Sequence, residues 1–129
     1  MDYLKILFLI LLCTHLSSAQ EYQSKSELEN EILGTWYYDN DLKSKITFSE
    51  NGTVKRFFED ELQSTATFEI TSSCDGEELP EKQFFLKETD ENGSSCSYIE
   101  AINFNENGIF SLMTKSQGRL IVLKKNDSH

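Results

Sequence analysis

The chain has little of what most catalytic chemistry is built from. Of 129 residues, one is proline, one tryptophan, two are histidine and three are cysteine. One histidine, His15, lies in an apolar leader and the other, His129, is the last residue, so a hydrolytic triad or a histidine metal cluster has no material. No phosphate-binding glycine loop occurs. Basic residues are also scarce: 12 Lys and Arg stand against 22 Asp and Glu, for a formal charge of −10. Such a surface repels phosphate backbones, and Lys124 with Lys125 is too small a cluster to reverse that. The expectation is a non-enzymatic protein without cofactor, metal or nucleic-acid partner. Carboxylate pairs such as Glu59 and Glu69 are what so acidic a composition produces by accident. Nothing in the sequence fixes an oligomeric state.

Long apolar runs are missing too, apart from Leu4 to Leu12. That run is short of the roughly 20 residues a spanning helix needs. With Lys5 at its beginning and Ser17-Ser18-Ala19 after it, the run has the layout of a secretory signal over 1–19, with a mature domain over 20–129. Cys13 raises a second reading, a lipid-anchored protein, although Leu12 stands where a small residue is expected before an acylated cysteine. Either way the domain is expected in a secreted or periplasmic setting. About 110 residues remain, enough for one domain with a modest core. Their two cysteines, Cys74 and Cys96, travel together into an oxidising compartment and are expected to pair. A redox or metal-binding thiol pair would need closer spacing or nearby histidines.

What is present is punctuation. Ser24 with Glu27, and Ser26 with Glu29, each match a helix-capping box, and Leu28, Ile32 and Leu33 share one helical face before Gly34 stops the helix. From Thr35 onward the period becomes strand-like, broken by Asn-Gly, Asp-Gly and Gln-Gly turns. Eight strands are expected, at about 34–39, 43–49, 53–59, 64–71, 83–88, 96–104, 109–115 and 118–125. In KITFSE and TATFEIT, apolar Ile46, Phe48, Ala66, Phe68 and Ile70 alternate with polar residues, which buries one face. SSCDGEELPEK, holding Pro80 and a run of acids, reads as the longest loop, tethered by Cys74. Eight short strands joined mostly by tight turns predict an all-β fold: an up-and-down antiparallel barrel with a short N-terminal helix closing one end. A two-sheet sandwich fits the same periodicity.

Gly34-Thr35-Trp36 on the first strand, just after a short helix, resembles the Gly-x-Trp motif of lipocalins and related calycins. With Leu33 before it, Ile46-Thr47-Phe48, Asn51-Gly52-Thr53-Val54 and the terminal strand from Gly118 to Lys125, the resemblance is to small secreted bacterial lipocalin-like domains over nearly the whole mature chain. It implies a tryptophan packed across the closed end beneath a basic residue of the last strand. Arg119 begins that strand where larger lipocalins place their arginine near its end, so Lys124 or Lys125 is the better-placed candidate. The Thr-Asp-x-x-Tyr motif of larger lipocalins is absent and the chain is shorter than theirs. Nine phenylalanines, one of them in the leader, could fill much of the interior.

The resemblance implies binding of a small apolar or amphipathic molecule at the barrel mouth. Arg56 is the first candidate: in VKRFF it alternates with Val54 and Phe58, and an inward arginine can hold a ligand carboxylate by a bidentate contact. The competing reading puts Lys55 and Phe57 inside, or leaves Arg56 paired with a surface acid. In SYIEAINF, Tyr98 and Glu100 share the parity of Ile102 and Phe104, so Glu100 could neutralise Arg56 within the barrel. Tyr37-Tyr38, Phe57-Phe58 and Phe84-Phe85 each place one ring on each face of a strand. Outward rings would pack beneath the helix or long loop, or form a patch for another secreted protein. That second use, an interaction module or inhibitor on a filled barrel, stays open.

Overall fold

The computed structural model describes residues 22–125. The leader over 1–19, with Cys13, lies outside them. Ser24 caps helix α1 (Lys25–Glu31) by accepting the Glu27 N–H at its Oγ, 3.2 Å away. Of the two candidate boxes the first is therefore the cap, and the Ser26 hydroxyl instead meets that of Ser24 at 3.2 Å. The helix ends at Ile32, two residues before Gly34. Gly34 opens the first strand at φ +113°, a conformation that a side chain would strain.

Ten strands follow: β1 (Gly34–Tyr38), β2 (Asp41–Phe48), β3 (Thr53–Phe58), β4 (Glu61–Thr71), β5 (Ser73–Cys74), β6 (Glu77–Glu78), β7 (Phe85–Asp90), β8 (Gly93–Ile102), β9 (Ile109–Thr114) and β10 (Leu120–Lys124). Eight of them form a closed antiparallel barrel in the order β1-β10-β9-β8-β7-β4-β3-β2. The barrel is thus the closure expected, and the sandwich alternative is set aside. Closure depends on a short seam, Tyr37 opposite Lys124 and Tyr38 opposite Leu123, extended by the Asp39 N–H donating to Val122 O at 3.0 Å.

The expected long loop holds a small hairpin, β5 paired with β6. Its turn explains why: Asp75 (φ 50°) and Gly76 (φ 81°) both have positive φ, as a two-residue hairpin turn of the primed kind requires. Lying between β4 and β7, which pair directly, the hairpin is an excursion outside the barrel. The Cys74–Cys96 disulfide, with Cα atoms 6.6 Å apart, ties it to β8. Phe85, fully buried, and Tyr98 pack beside that disulfide with centroids 4.9 Å apart and rings tilted by 43°, and Leu79 packs against them. This outer cluster is where the outward ring of Phe84-Phe85 goes.

The main core lies inside the barrel. Trp36, Ile46, Phe48, Val54, Ile102 and Phe110 are buried there, joined by Leu28 and Ile32 from the helix segment. Trp36 meets Phe110 edge-on at 5.4 Å, and Phe48 meets Phe68 at 5.0 Å and Phe110 at 6.0 Å. The indole N–H donates to the Ile32 carbonyl at 2.8 Å, giving a partner to one of the acceptors a helix C-terminus leaves over. The cation over the indole is Lys125, 5.7 Å from the ring centroid. The other candidates are corrected: Lys124 points outward and pairs with Asp39 at 2.7 Å, and Arg119 is exposed at the far end of β10. Alternation explains it, because Lys125 shares the inward phase of Leu123, which Lys124 cannot.

Candidate functional site at the barrel mouth

Because every barrel strand runs against its neighbours, two sets of strand ends gather at opposite ends. Trp36, Phe48, Ile102 and Phe110 crowd the end near α1. Tyr38, Arg56, Phe58, Ser64, Glu88 and Ile121 lie toward the other. Two clefts of about 410 and 450 Å³ lie beside α1, around Tyr22, Gln23 and Lys82, the first also lined by Glu100. Three that share lining residues gather at the other end. One of about 350 Å³ is lined by Tyr38, Ser44, Arg56, Phe58 and Gln63. A second of about 330 Å³ lies over Arg56, Ser64, Glu88, Asp90 and Ser95. A third of about 420 Å³ separates Tyr38 and Asn40 from Arg119 and Ile121, where β10 runs past the end of β1.

Arg56 faces inward, in the phase of buried Val54. Its guanidinium donates twice to one carboxylate, Nη1 to Glu88 Oε1 at 2.6 Å and Nη2 to Glu88 Oε2 at 2.9 Å. Glu88 stands on β7, reached across β4 at the Phe68–Glu88 pair. The pair is partly sheltered, with 35% of the arginine and 15% of the glutamate side chain exposed. Burial works against the Arg56 charge, but the Glu88 hydrogen bonds and charge outweigh it and, with smaller contributions from Tyr38, hold its pKa above the ordinary value. Arg56 is therefore a fixed cation whose bidentate face is already occupied.

Of the four residues the sequence nominated, Arg56 and Phe58 line one cleft, and Tyr98 and Glu100 lie elsewhere. A β-bulge between Ile99 and Ala101 accounts for the difference. The inserted residue, Glu100, resets the phase of β8, so that Ile99 and Ile102 both contact the core while Tyr98 faces out. Glu100 is exposed, and the partner expected of it is Glu88 instead. Glu88 and Tyr38 were legible in principle, since each follows an inward apolar residue by two positions, Leu86 and Trp36. For Tyr98 the signal was Cys96, two positions before it, which had to face a loop outside the barrel.

The Tyr98 hydroxyl donates to Glu77 Oε1 at 2.6 Å, holding the hairpin to β8. That bond, then shielding from solvent and the Glu77 charge, raises the tyrosine's pKa above its ordinary value. A raised pKa favours the folded state below the unfolded value of about 10, and this contribution is lost as the pH climbs through the higher folded value. Phenolate absorbance should therefore show one late-titrating tyrosine that disappears in Tyr98→Phe, with the hairpin loosening as it ionises. A Tyr98→Phe profile superimposable on the parent's would contradict this.

Among the described residues, Cys74, Asp75 and Cys96 form the one grouping with metal-type ligand atoms close together, but its sulfurs are bonded to each other. No helix among the described residues is long and apolar enough to cross a membrane. Comparison with protein-family models, curated proteins and solved structures finds no match. The fold defines a class, a closed eight-stranded antiparallel barrel.

Proposed function

We propose that the protein is a secreted or periplasmic, non-enzymatic, lipocalin-like carrier that holds a small amphipathic molecule in the barrel mouth, with α1 serving as the plug of the opposite end. The observation that carries this is the fixed ion pair at the mouth end, where Tyr38, Phe58 and the Arg56–Glu88 pair line adjoining clefts of about 350 and 330 Å³. The clefts beside α1, lined by Leu28, Phe84 and Phe104 or by Glu27, Glu31 and Asn103, hold no such pair among the described residues. Apolar surface beside a fixed polar pair suits a molecule with a tail and a polar head. The disulfide accords with an oxidising compartment.

Native mass spectrometry of protein purified without detergent tests it. The expected result is a small-molecule adduct that is lost on denaturation, or uptake of an added amphiphile at one-to-one stoichiometry. No adduct and no uptake would overturn the reading.

One observation favours the second reading, an interaction module. Leu42, Phe58, Leu62 and Leu120, each at least 43% exposed, all belong to the mouth end of their strands. Leu62 separates the two uses, because it pairs with outward-facing Phe57 on the outer face of the wall. Leu62→Lys leaves small-molecule uptake intact under the carrier reading and weakens partner binding under the other.

A further inference from the structure

We infer that Glu88 is a specificity-determining residue that bars carboxylate ligands from the mouth and reserves it for uncharged amphipathic molecules such as long-chain alcohols. The inference rests on the carrier reading above and names the ligand class of that same site. An inward arginine at a barrel mouth would ordinarily be the receptor for a ligand acid, since its fork matches a carboxylate bidentately. Here that fork is filled by the protein itself, at 2.6 and 2.9 Å.

For a ligand carboxylate to reach Arg56, Glu88 must give up both charge-assisted bonds and remain as an unpaired anion on a side chain only 15% exposed. Stranding one member of such a pair is costly, and the incoming anion would add repulsion at close range. The alternatives within reach do not help. Ser64 and Ser95 are uncharged, and Asp90, two positions along β7 from Glu88, is a second carboxylate in the same cleft. Arg119 lines the neighbouring cleft but is exposed to solvent, where an ion pair contributes little. Lys45, which lines the Arg56 cleft, is paired with Asp60, as Lys43 is with Glu59 and Lys124 with Asp39, and the chain as a whole carries −10, so the net field also opposes anions. An alcohol or amide head meets none of these penalties. It can exchange hydrogen bonds with Ser64, Tyr38 or the outer face of the Arg56–Glu88 pair while its tail lies against Phe58 and Ile121.

The test is calorimetric titration at about pH 7.5 and low salt with decan-1-ol, decanoate and decylammonium, all below their aggregation limits, against wild-type, Glu88→Gln and the double variant Arg56→Gln/Glu88→Gln. Wild-type protein should bind decanol at least about tenfold more tightly than decanoate. Glu88→Gln should raise decanoate affinity by at least about tenfold and change decanol affinity by less than about threefold, because it frees the guanidinium without emptying the cleft. The double variant, lacking the freed cation, should not gain decanoate binding. Decanoate binding to wild type as tightly as decanol would overturn the inference without needing any variant to fold. So would an equal gain of decanoate affinity in the double variant, which would mean that Arg56 is not the receptor, or a decylammonium affinity above that of decanol. Failure of all three ligands to bind any of the proteins would instead sink the carrier reading itself.

Discussion

Replacing Trp36 by alanine should lower the stability of the barrel by about 3–5 kcal/mol, the range for removing a fully buried aromatic side chain. Domains of this size have roughly 5–15 kcal/mol in hand, so the variant would be marginal. The size of the effect follows from how much meets at one ring. Trp36 is 0% exposed and touches Phe110 edge-on. Its N–H also supplies the bond that ties the C-terminal end of α1 to β1. Losing the ring leaves a cavity among side chains from both helix and sheet, and the Ile32 carbonyl is left without that donor. Trp36→Phe separates the contributions. It keeps most of the volume but cannot donate, and should cost about 1–3 kcal/mol, the penalty for a stranded buried acceptor. Lys125→Met removes only a cation at 5.7 Å from the ring on an exposed residue and should cost about 0.5–1 kcal/mol or less. Urea unfolding of the three variants measures this series. A Trp36→Ala midpoint within error of the parent would mean that the indole does not join helix and barrel.

The sequence made the elements readable where the signal is local. Ser24 and Glu27 announce the helix start, Gly34 and Trp36 the first strand, and the Asn-Gly and Asp-Gly pairs the turns, because each depends on backbone preferences within a few residues. Closure was less accessible. It is settled by the β1–β10 seam, which joins residues about as far apart as the domain allows and leaves no periodic trace in either strand. The seam is also brief, and past it the wall opens beside Leu120 and Ile121. Thus the cleft is a consequence of a register that periodicity does not encode.

Site residues divided along the same line. Arg56 and Phe58 were found because β3 alternates without interruption from Val54 onward. Tyr98 and Glu100 were misplaced because the bulge at Glu100 inverts the phase partway along β8, and a bulge needs no glycine to announce it. The arginine's partner was missed for a different reason. Pairing across two strand positions in a closed barrel is a matter of register and curvature, and with 22 acids in the chain many could have been chosen. The correction concerns the partner: of the two expectations for Arg56, a receptor for a ligand acid or a pair with Glu100, the second is met by Glu88 in place of Glu100, in a cleft lined by hydroxyls.

Reducing the Cys74–Cys96 bond should cost roughly 3 kcal/mol, which a 22-residue separation gives on the chain-entropy account of cross-links, and should do so without opening the barrel. The two halves of that expectation have different grounds. The stability loss comes from the unfolded chain, which regains the freedom that the cross-link had removed. Retention of the barrel comes from topology, because β5 and β6 are not among the eight barrel strands and β7 pairs directly with both β4 and β8. What the bond holds locally is the hairpin over Phe85 and Tyr98, helped by the Tyr98–Glu77 hydrogen bond and by Lys115 at 3.6 Å from Glu77. Hydrogen exchange on Cys74→Ser/Cys96→Ser should therefore show protection lost first over 72–84, while β1 to β4 and β9 keep theirs up to the new, lower global stability. Denaturant unfolding supplies the energy. A loss below about 1 kcal/mol would show that hairpin docking, not the cross-link, carries the constraint. Uniform loss of protection across all strands under native conditions would show that the barrel cannot stay closed without the tether, and the separation drawn between the inner core and the outer cluster would fail with it.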